Sequence, residues 1–380
     1  MSQQQKVATT EPSQHVISQT PEMTDEIIED GKRLLGIDLR NQRTTQHITT
    51  DAVLDYCNYN GSSNPLFLDE EYALNTRWKG IIAPPTIVGS RIIAPGMRAI
   101  QWVYAGTDWE FFLPIRPGDT LSSQGRLISA EEKRGKTVQR MVLQTGESRV
   151  WNQNGDLVAI IHGHTMRTPR SRASGGMTYK SRFQSWTDSE LKQIEESMEN
   201  EEIRGSTPRF WEDINIGQEM LPITYGPLRT VEIAFTAGSG TGEGGGAHVY
   251  QMLGRRRHPA NSFIDPNTGA QDDPHRGHWE QHMAQQVGMP GIYDLGPHRL
   301  SWLDRYVNDW MGDDAFLKKL GGRLRRPNVA GDVTVLTGTI VNKWQSGAAH
   351  YVQCAIEATN QVGEVTMPGW AVIDLPTKQK

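Results

Sequence analysis

Two polar side chains near the middle of the second half of this sequence have the types and spacing to act on one water molecule. The run Asp273-Pro274-His275-Arg276-Gly277-His278-Trp279-Glu280 puts a carboxylate five residues before an imidazole, with Ala284 six residues after that imidazole and Gly288 four further on. A carboxylate and an imidazole facing a common water can polarise it, take its proton and pass the proton on, because imidazole titrates near neutral pH. Asp273 is the candidate base and His278 the candidate that orients the water and shuttles protons. The plainer alternative is that Asp273 caps a helix and His278 stands on its surface. His275, His278 and His282 are spaced by three and four, so one helix face can carry all three, and with Asp273 they make up a candidate zinc set. No HExxH and no cysteine pair accompanies them, and no metal is expected.

Other residues lend themselves to binding. The stretch from Gly240 to Asp272 is glycine-rich and reads as a long flexible loop; it carries Arg255, Arg256 and Arg257. Adjacent guanidinium groups can hold phosphate oxygens, although solvated loop charge is the plainer reading. The GEGGG inside it lacks the GxGxxG or GxxxxGK pattern of a phosphate-cradling turn. Trp102, Tyr104, Trp109, Phe111 and Phe112 crowd together, as in a core, a subunit interface or the wall of an apolar pocket.

These residues need elements to hold them, and the chain reads as two similar halves. From Arg116 and again from Arg326, an Arg-Pro leads to Gly-Asp (Gly118-Asp119, Gly331-Asp332), then to three runs of alternating apolar and polar residues. Turn signals such as RGK, NQNGD and NQVGE separate the runs. Period-two alternation predicts strands of a sheet with one covered face. Upstream of each meander lies a stretch predicted to be helical, 80–97 in the first half and 280–303 in the second. Helix first and meander after, twice over, predicts an internal duplication of an α+β unit. The expected boundaries are a disordered polar tail at 1–22, a first unit at 23–167, a linker at 168–207 and a second unit at 208–380. The first unit should open with a helix capped by Thr24 and ended by Gly36, bearing Glu26, Asp30, Ile27, Ile28, Leu34 and Leu35. The linker should hold a solvated helix begun at Thr187 or Asp188, with Leu191, Ile194 and Met198 as its one seam.

Composition limits what such a chain can be. At roughly 150 residues per domain, 380 residues suit two domains with real cores. There are 39 basic and 44 acidic side chains, a net charge of −5, so no global cationic field draws in nucleic acid or an anionic membrane. No run approaches the roughly 18 apolar residues of a spanning helix, and the first residues lack the features of a secretory signal. Cys57 and Cys354 are the two cysteines, too few for a disulfide framework. A cytoplasmic location is expected.

The first half contains Ser62-Ser63-Asn64-Pro65-Leu66-Phe67, with Ala73 after it and Gly80-Ile81-Ile82-Ala83-Pro84-Pro85-Thr86 beyond. This resembles the MaoC-like dehydratases, the (R)-specific enoyl-CoA hydratase 2 group, in their two-repeat form with a degenerate FAS1-type dehydratase N-terminal half. The family motif reads Gly-Asp-x-Asn-Pro-(Ile/Leu)-His, with Ala six residues past the His. Ser62 and Phe67 stand at its two chemical positions here, and a phenyl ring cannot move protons, so this half is expected to be silent. In the second half the motif's spacing falls on Asp273 and His278, after a leading Phe-x-x-x-Ser-Gly at 235–240 and about thirty inserted residues. His275 replaces the motif's Asn, and Gly277 its Ile or Leu.

The resemblance implies a tandem (double) hot-dog fold, in which two antiparallel sheets each wrap a central helix. It implies reversible hydration of a 2-enoyl-CoA, or dehydration of a 3-hydroxyacyl-CoA, with a backbone N–H at Gly296 as oxyanion donor. No cofactor is implied, coenzyme A being part of the substrate. Arg255, Arg256 and Arg257 would then meet its phosphates, while Trp102, Trp109 and His275 would face the substrate. A homodimer of such pseudo-dimers is the expected assembly. A hot-dog thioesterase and a non-catalytic thioester-binding subunit remain the alternatives; the latter should lack the Asp and His in both halves.

Overall fold

The computed structural model of the chain describes residues 20–39, 45–135, 140–169, 185–238, 248–265 and 267–378. Most of the polar tail and the GEGGG run therefore lie outside the described residues. In the first half the elements are α1 (Asp25–Lys32), β1 (Asp38–Leu39), β2 (Thr45–His47), α2 (Thr50–Asn60), α3 (Pro65–Leu68) and α4 (Glu70–Leu74). Four long strands follow: β3 (Gln101–Phe111), β4 (Thr120–Lys133), β5 (Met141–Trp151) and β6 (Leu157–Thr168). The connecting helix is α5 (Asp188–Glu199). The second half runs β7 (Glu219–Tyr225), α6 (Thr230–Gly238), α7 (Val249–Arg257), β8 (Phe263–Ile264), β9 (Gln271–Asp272), α8 (Gln281–Gln286) and α9 (Gly296–Met311). It ends on β10 (Phe316–Arg323), β11 (Thr334–Ser346), β12 (Ala349–Asn360) and β13 (Val365–Asp374).

The alternating runs form the strands expected of them, and matching turn residues fold alike in both halves. Asn152 Oδ1 accepts from the N–H groups of Asn154 and Asp156, each at 3.0 Å. Asn360 Oδ1 does the same for Val362 at 3.2 Å and Glu364 at 3.0 Å. Asp119 Oδ2 accepts from Arg116 N and Asp332 Oδ2 from Val329 N, three residues back in each case. Short polar side chains that bond the backbone locally stop a strand and reverse the chain.

One sheet contains both halves, in the order β1-β4-β5-β6-β3-β10-β13-β12-β11-β7, with β2 also on β4. The order mirrors itself about the antiparallel β3–β10 pair, so each half contributes the same meander and the halves join edge to edge. This is the tandem hot dog. Neither β3 nor β10 was marked by alternation: a bulge at Tyr104/Gly106 breaks the period in β3, and β10 carries Gly321-Gly322.

The central helix is present once. In α9, Leu300, Trp302, Leu303, Tyr306 and Val307 are at most 1% exposed, each contributing roughly 1.5–3 kcal/mol through burial. A Cβ on Gly322 would lie 2.5 Å from Leu300 Cδ2, so that glycine lets the helix settle onto the sheet. The helix predicted over 80–97 is instead a single 3-10 turn at Pro85–Val88 and an extended chain. Pro84, Pro85 and Pro95 cannot donate and clash with a preceding turn. The extended chain lies on sheet glycines: a Cβ on Gly146 would be 2.5 Å from Ile93 Cβ. The stretch predicted helical over 280–303 divides into α8 and α9, with Gly288, Pro290 and Gly291 between them.

Smaller expectations also meet corrections. Thr24 caps α1, but the helix ends at Lys32; Leu34 and Leu35 lie beyond it, and Leu35 bridges Leu127 on β4. Thr187 caps α5 with Glu190 in a reciprocal pair of bonds, and Leu191, Ile194 and Met198 are its half-buried positions. The stretch read as a flexible loop holds α7 and the β8–β9 hairpin, because VYQMLGRRR contains neither proline nor a glycine run.

Candidate active site

The Asp273–His278 run folds as a short 3-10 turn between β9 and α8. Pro274 starts it without a lost hydrogen bond, and Asp273 caps it: Oδ1 accepts from His275 N at 2.9 Å. The same oxygen lies 3.3 Å from His275 Nδ1, which donates. Arg276 anchors the turn. Its guanidinium bonds Asp272 at 2.8 Å, both oxygens of Glu280 at 2.6 and 2.7 Å, and Asp265 on the hairpin loop. Asp272, Arg276 and Glu280 are four residues apart, so this ladder was visible in the spacing; Asp265 was not.

His278 Nδ1 lies 2.8 Å from the Tyr293 carbonyl. A carbonyl only accepts, so the ring carries its proton on Nδ1 and leaves the Nε2 lone pair for another hydrogen. His278 is half-buried, and burial lowers its pKa to about 4, with the charge of His275 adding to the fall. The Tyr293 carbonyl and the Asp273 carboxylate act in the opposite sense and are outweighed. The His278 and His275 rings are 5.4 Å apart, and His278 packs on Tyr293 at 4.1 Å. The next residue, Asp294, makes a buried two-pronged pair with Arg299 at 2.7 Å, which holds this carbonyl in place.

Three residues past Tyr293, Gly296 opens α9. Leu295 gives no side-chain cap and Pro297 has no N–H, so the first turn keeps N–H groups without intrahelical acceptors. Such an end suits a developing negative charge. A Cβ on Gly296 would lie 2.4 Å from Leu324 Cδ1 and 2.5 Å from Tyr104 Cδ1. Tyr104 comes from β3, so the first half reaches the helix end beside which the second half places its imidazole.

The other sequence-predicted residues fall elsewhere. Trp109 is 3% exposed and donates its indole N–H to the Gly89 carbonyl at 3.0 Å, within the core. Trp102 is half-buried on β3. Arg255, Arg256 and Arg257 follow one another on a helix and fan apart instead of converging; Arg255 turns inward to Gln271 at 3.3 Å. His282 is separated from the 3-10 turn by Glu280, which it approaches at 3.7 Å, so the three histidines do not share one helix face. Among the described residues no three His, Cys, Asp or Glu side chains form a metal-holding group. A polar cavity of about 170 Å³ lies at Arg204, Arg209, Tyr306 and Asp309, and none of its lining residues belongs to this turn.

The corresponding turn of the first half retains the architecture without the chemistry. Asn64 caps α3 as Asp273 caps its turn, with Pro next and Oδ1 accepting from Leu66 N at 3.0 Å. Phe67 and His278 each stand two residues before the N-cap of the following helix, Asp69 of α4 and Glu280 of α8. Phe67 is 2% exposed. The cap geometry pairs Asp273 with Asn64, not with Ser62 as the motif spacing would have it; the turn of the second half is two residues longer.

Residues 34–161 match the FAS1-like dehydratase domain region. A search of curated proteins gave no match. Among solved structures, a MaoC-like dehydratase superposes with a TM-score of 0.63 at 14% identity, over 91% of this chain and 99% of the other. A MaoC domain protein dehydratase from Chloroflexus aurantiacus J-10-fl gives 0.56 at 16% identity, over 90% and 96%. At these identities the likeness concerns the fold. Residues 34–161 are thus similar to a FAS1-like dehydratase region, in a chain that as a whole has the double hot-dog fold seen in MaoC-like dehydratases.

Proposed function

We propose that this chain is a hydro-lyase that adds water reversibly across the double bond of a 2-enoyl-CoA. Water addition at C3 needs a proton acceptor for the attacking water, a proton for C2 and a donor for the enolate oxygen. The Asp273 carboxylate polarises the attacking water, His278 Nε2 takes its proton as the oxygen bonds to C3 and then gives that proton to C2, and the N–H of Gly296 holds the enolate oxygen. Tyr104 and Trp102 of the first half border the acyl side, and His275 steadies Asp273.

The observation that carries this reading is the neutral His278, oriented through Nδ1 by a carbonyl three residues ahead of the α9 N-terminus. The FAS1-like match supports the reaction class, although it covers the half with Ser62 and Phe67. The test is to supply enoyl-CoA thioesters of graded bulk and follow the conjugated enoyl absorbance and free thiol together. Loss of absorbance without thiol release is the expected result. Thiol release would make the chain a thioesterase, and no reaction across the panel would leave it a binding subunit.

A further inference from the structure

The helix α7 is turned inside out. At about 100° per residue, Val249, Tyr250, Leu253, Arg256 and Arg257 share one face, and these five are its exposed residues, with Tyr250 75% exposed. The polar Gln251 and Arg255 are half-buried behind them. A helix on a water-facing surface normally shows the reverse pattern. On α6, which precedes it, Val231 and Phe235 are likewise 66% and 57% exposed, while Ile233 between them and Thr236 after them are buried. The helix is held in this attitude: Arg98 donates to the carbonyls of Arg256 and Arg257, each at 2.7 Å, closing its C-terminal end.

We propose that this face of α7 docks on an anionic lipid surface. Val249, Tyr250 and Leu253 enter the headgroup layer, while Arg256 and Arg257 reach lipid phosphates. Charge selects this occupant. Between Gly244 and Ile264 the sequence has three arginines and no carboxylate, and Arg98 adds a fourth cation at the helix end. The same stretch on a second copy would offer Arg256 and Arg257 no carboxylate to pair with. Tyrosine and arginine also suit an interface, each with an apolar body and a polar tip. The net charge of −5, from which no membrane contact is expected, averages over this face and hides it. The Arg255–Gln271 contact places the Asp273 turn one hairpin away from the docked helix.

The test uses the full chain and needs no activity, so it stands apart from the hydratase reading. Vesicles of phosphatidylcholine with phosphatidylglycerol, and vesicles of phosphatidylcholine alone, are sedimented with the protein at low and high salt. The chain is expected to sediment with the anionic vesicles only and to be released by salt. The combined variant Val249→Ser, Tyr250→Ser, Leu253→Ser and the combined variant Arg256→Glu, Arg257→Glu should each lower partition by about tenfold or more. The two act by different chemistry on exposed side chains, so if circular dichroism shows one misfolded the other decides. Absence of partition, or partition unchanged in the folded variants, overturns the proposal. So does a wild-type dimer in light scattering that the serine variant abolishes, which would give the face to a second copy.

Discussion

His278 can act as a base because its surroundings keep it uncharged. Burial holds its pKa at about 4, below the usual imidazole value of about 6.5. The base form therefore persists into acid. The expected profile of kcat/KM for hydration is flat from about pH 8 to about pH 5, falling only with a midpoint near 4; a limb near 6.5 would mean a solvated ring. The same shift bears on stability. The unfolded imidazole takes its proton first, so the contribution of His278 is whole above its unfolded value and is lost as pH falls through about 4. His298, buried on α9, is shifted alike to about 4. Asp304 opposes them: burial raises it to about 6, so its contribution belongs to acid and is lost as pH rises through about 6. Asp273 and His278 could be picked from the sequence because their side chains do the chemistry. Tyr293 could not, since a backbone carbonyl orients the ring and any residue supplies one.

Among the elements, the short turn that bears Asp273 and His278 depends on Arg276. Replacing it by Met would leave Asp265, Asp272 and Glu280 facing one another, with loss of several charge-assisted bonds worth about 1.5–3 kcal/mol each in partly buried settings. Arg276→Met is expected to lower the urea midpoint and, by loosening the turn, to reduce kcat more than KM. An unchanged midpoint would show that the ladder is ornamental to the turn. Strands β4–β6 and β11–β13 were legible because one face is covered and every second residue must be apolar. The helix misread at 80–97 shows the converse. Its apolar residues have suitable spacing, but the prolines bar the hydrogen bonds, and close packing on Gly146 and Gly163 replaces them. β3 escaped notice because it lies mid-sheet, where pairing with both β6 and β10 stabilises a strand whose pattern is broken.

For the molecule as a whole, duplication was readable from paired Gly-Asp and Asn-x-x-Gly turns, whereas the joint between the halves was not. That joint combines β3–β10 pairing with a polar contact onto α9, Thr86 N to Asp304 Oδ2 at 3.1 Å, and one from β7 to α2, Tyr225 OH to the Asn60 carbonyl at 2.8 Å. Gly106 sits in it with φ +140°, and a Cβ there would be 2.1 Å from the Gly322 carbonyl oxygen of the adjoining strand. Gly106→Ala is expected to cost about 3 kcal/mol or more, read as a lowered unfolding midpoint; a neutral outcome would mean the halves are joined mainly through α9. The first half meets α9 through α2 and β3, and β3 brings Tyr104 to Gly296. In the proposed reaction the later half alone performs the proton transfer. The direct measurement is enoyl-CoA hydration by Asp273→Asn, in which asparagine preserves the N-cap and removes the carboxylate that polarises the water. A fall in kcat of about 100-fold or more, with the unfolding midpoint held, is predicted; wild-type turnover in this variant would contradict the assignment.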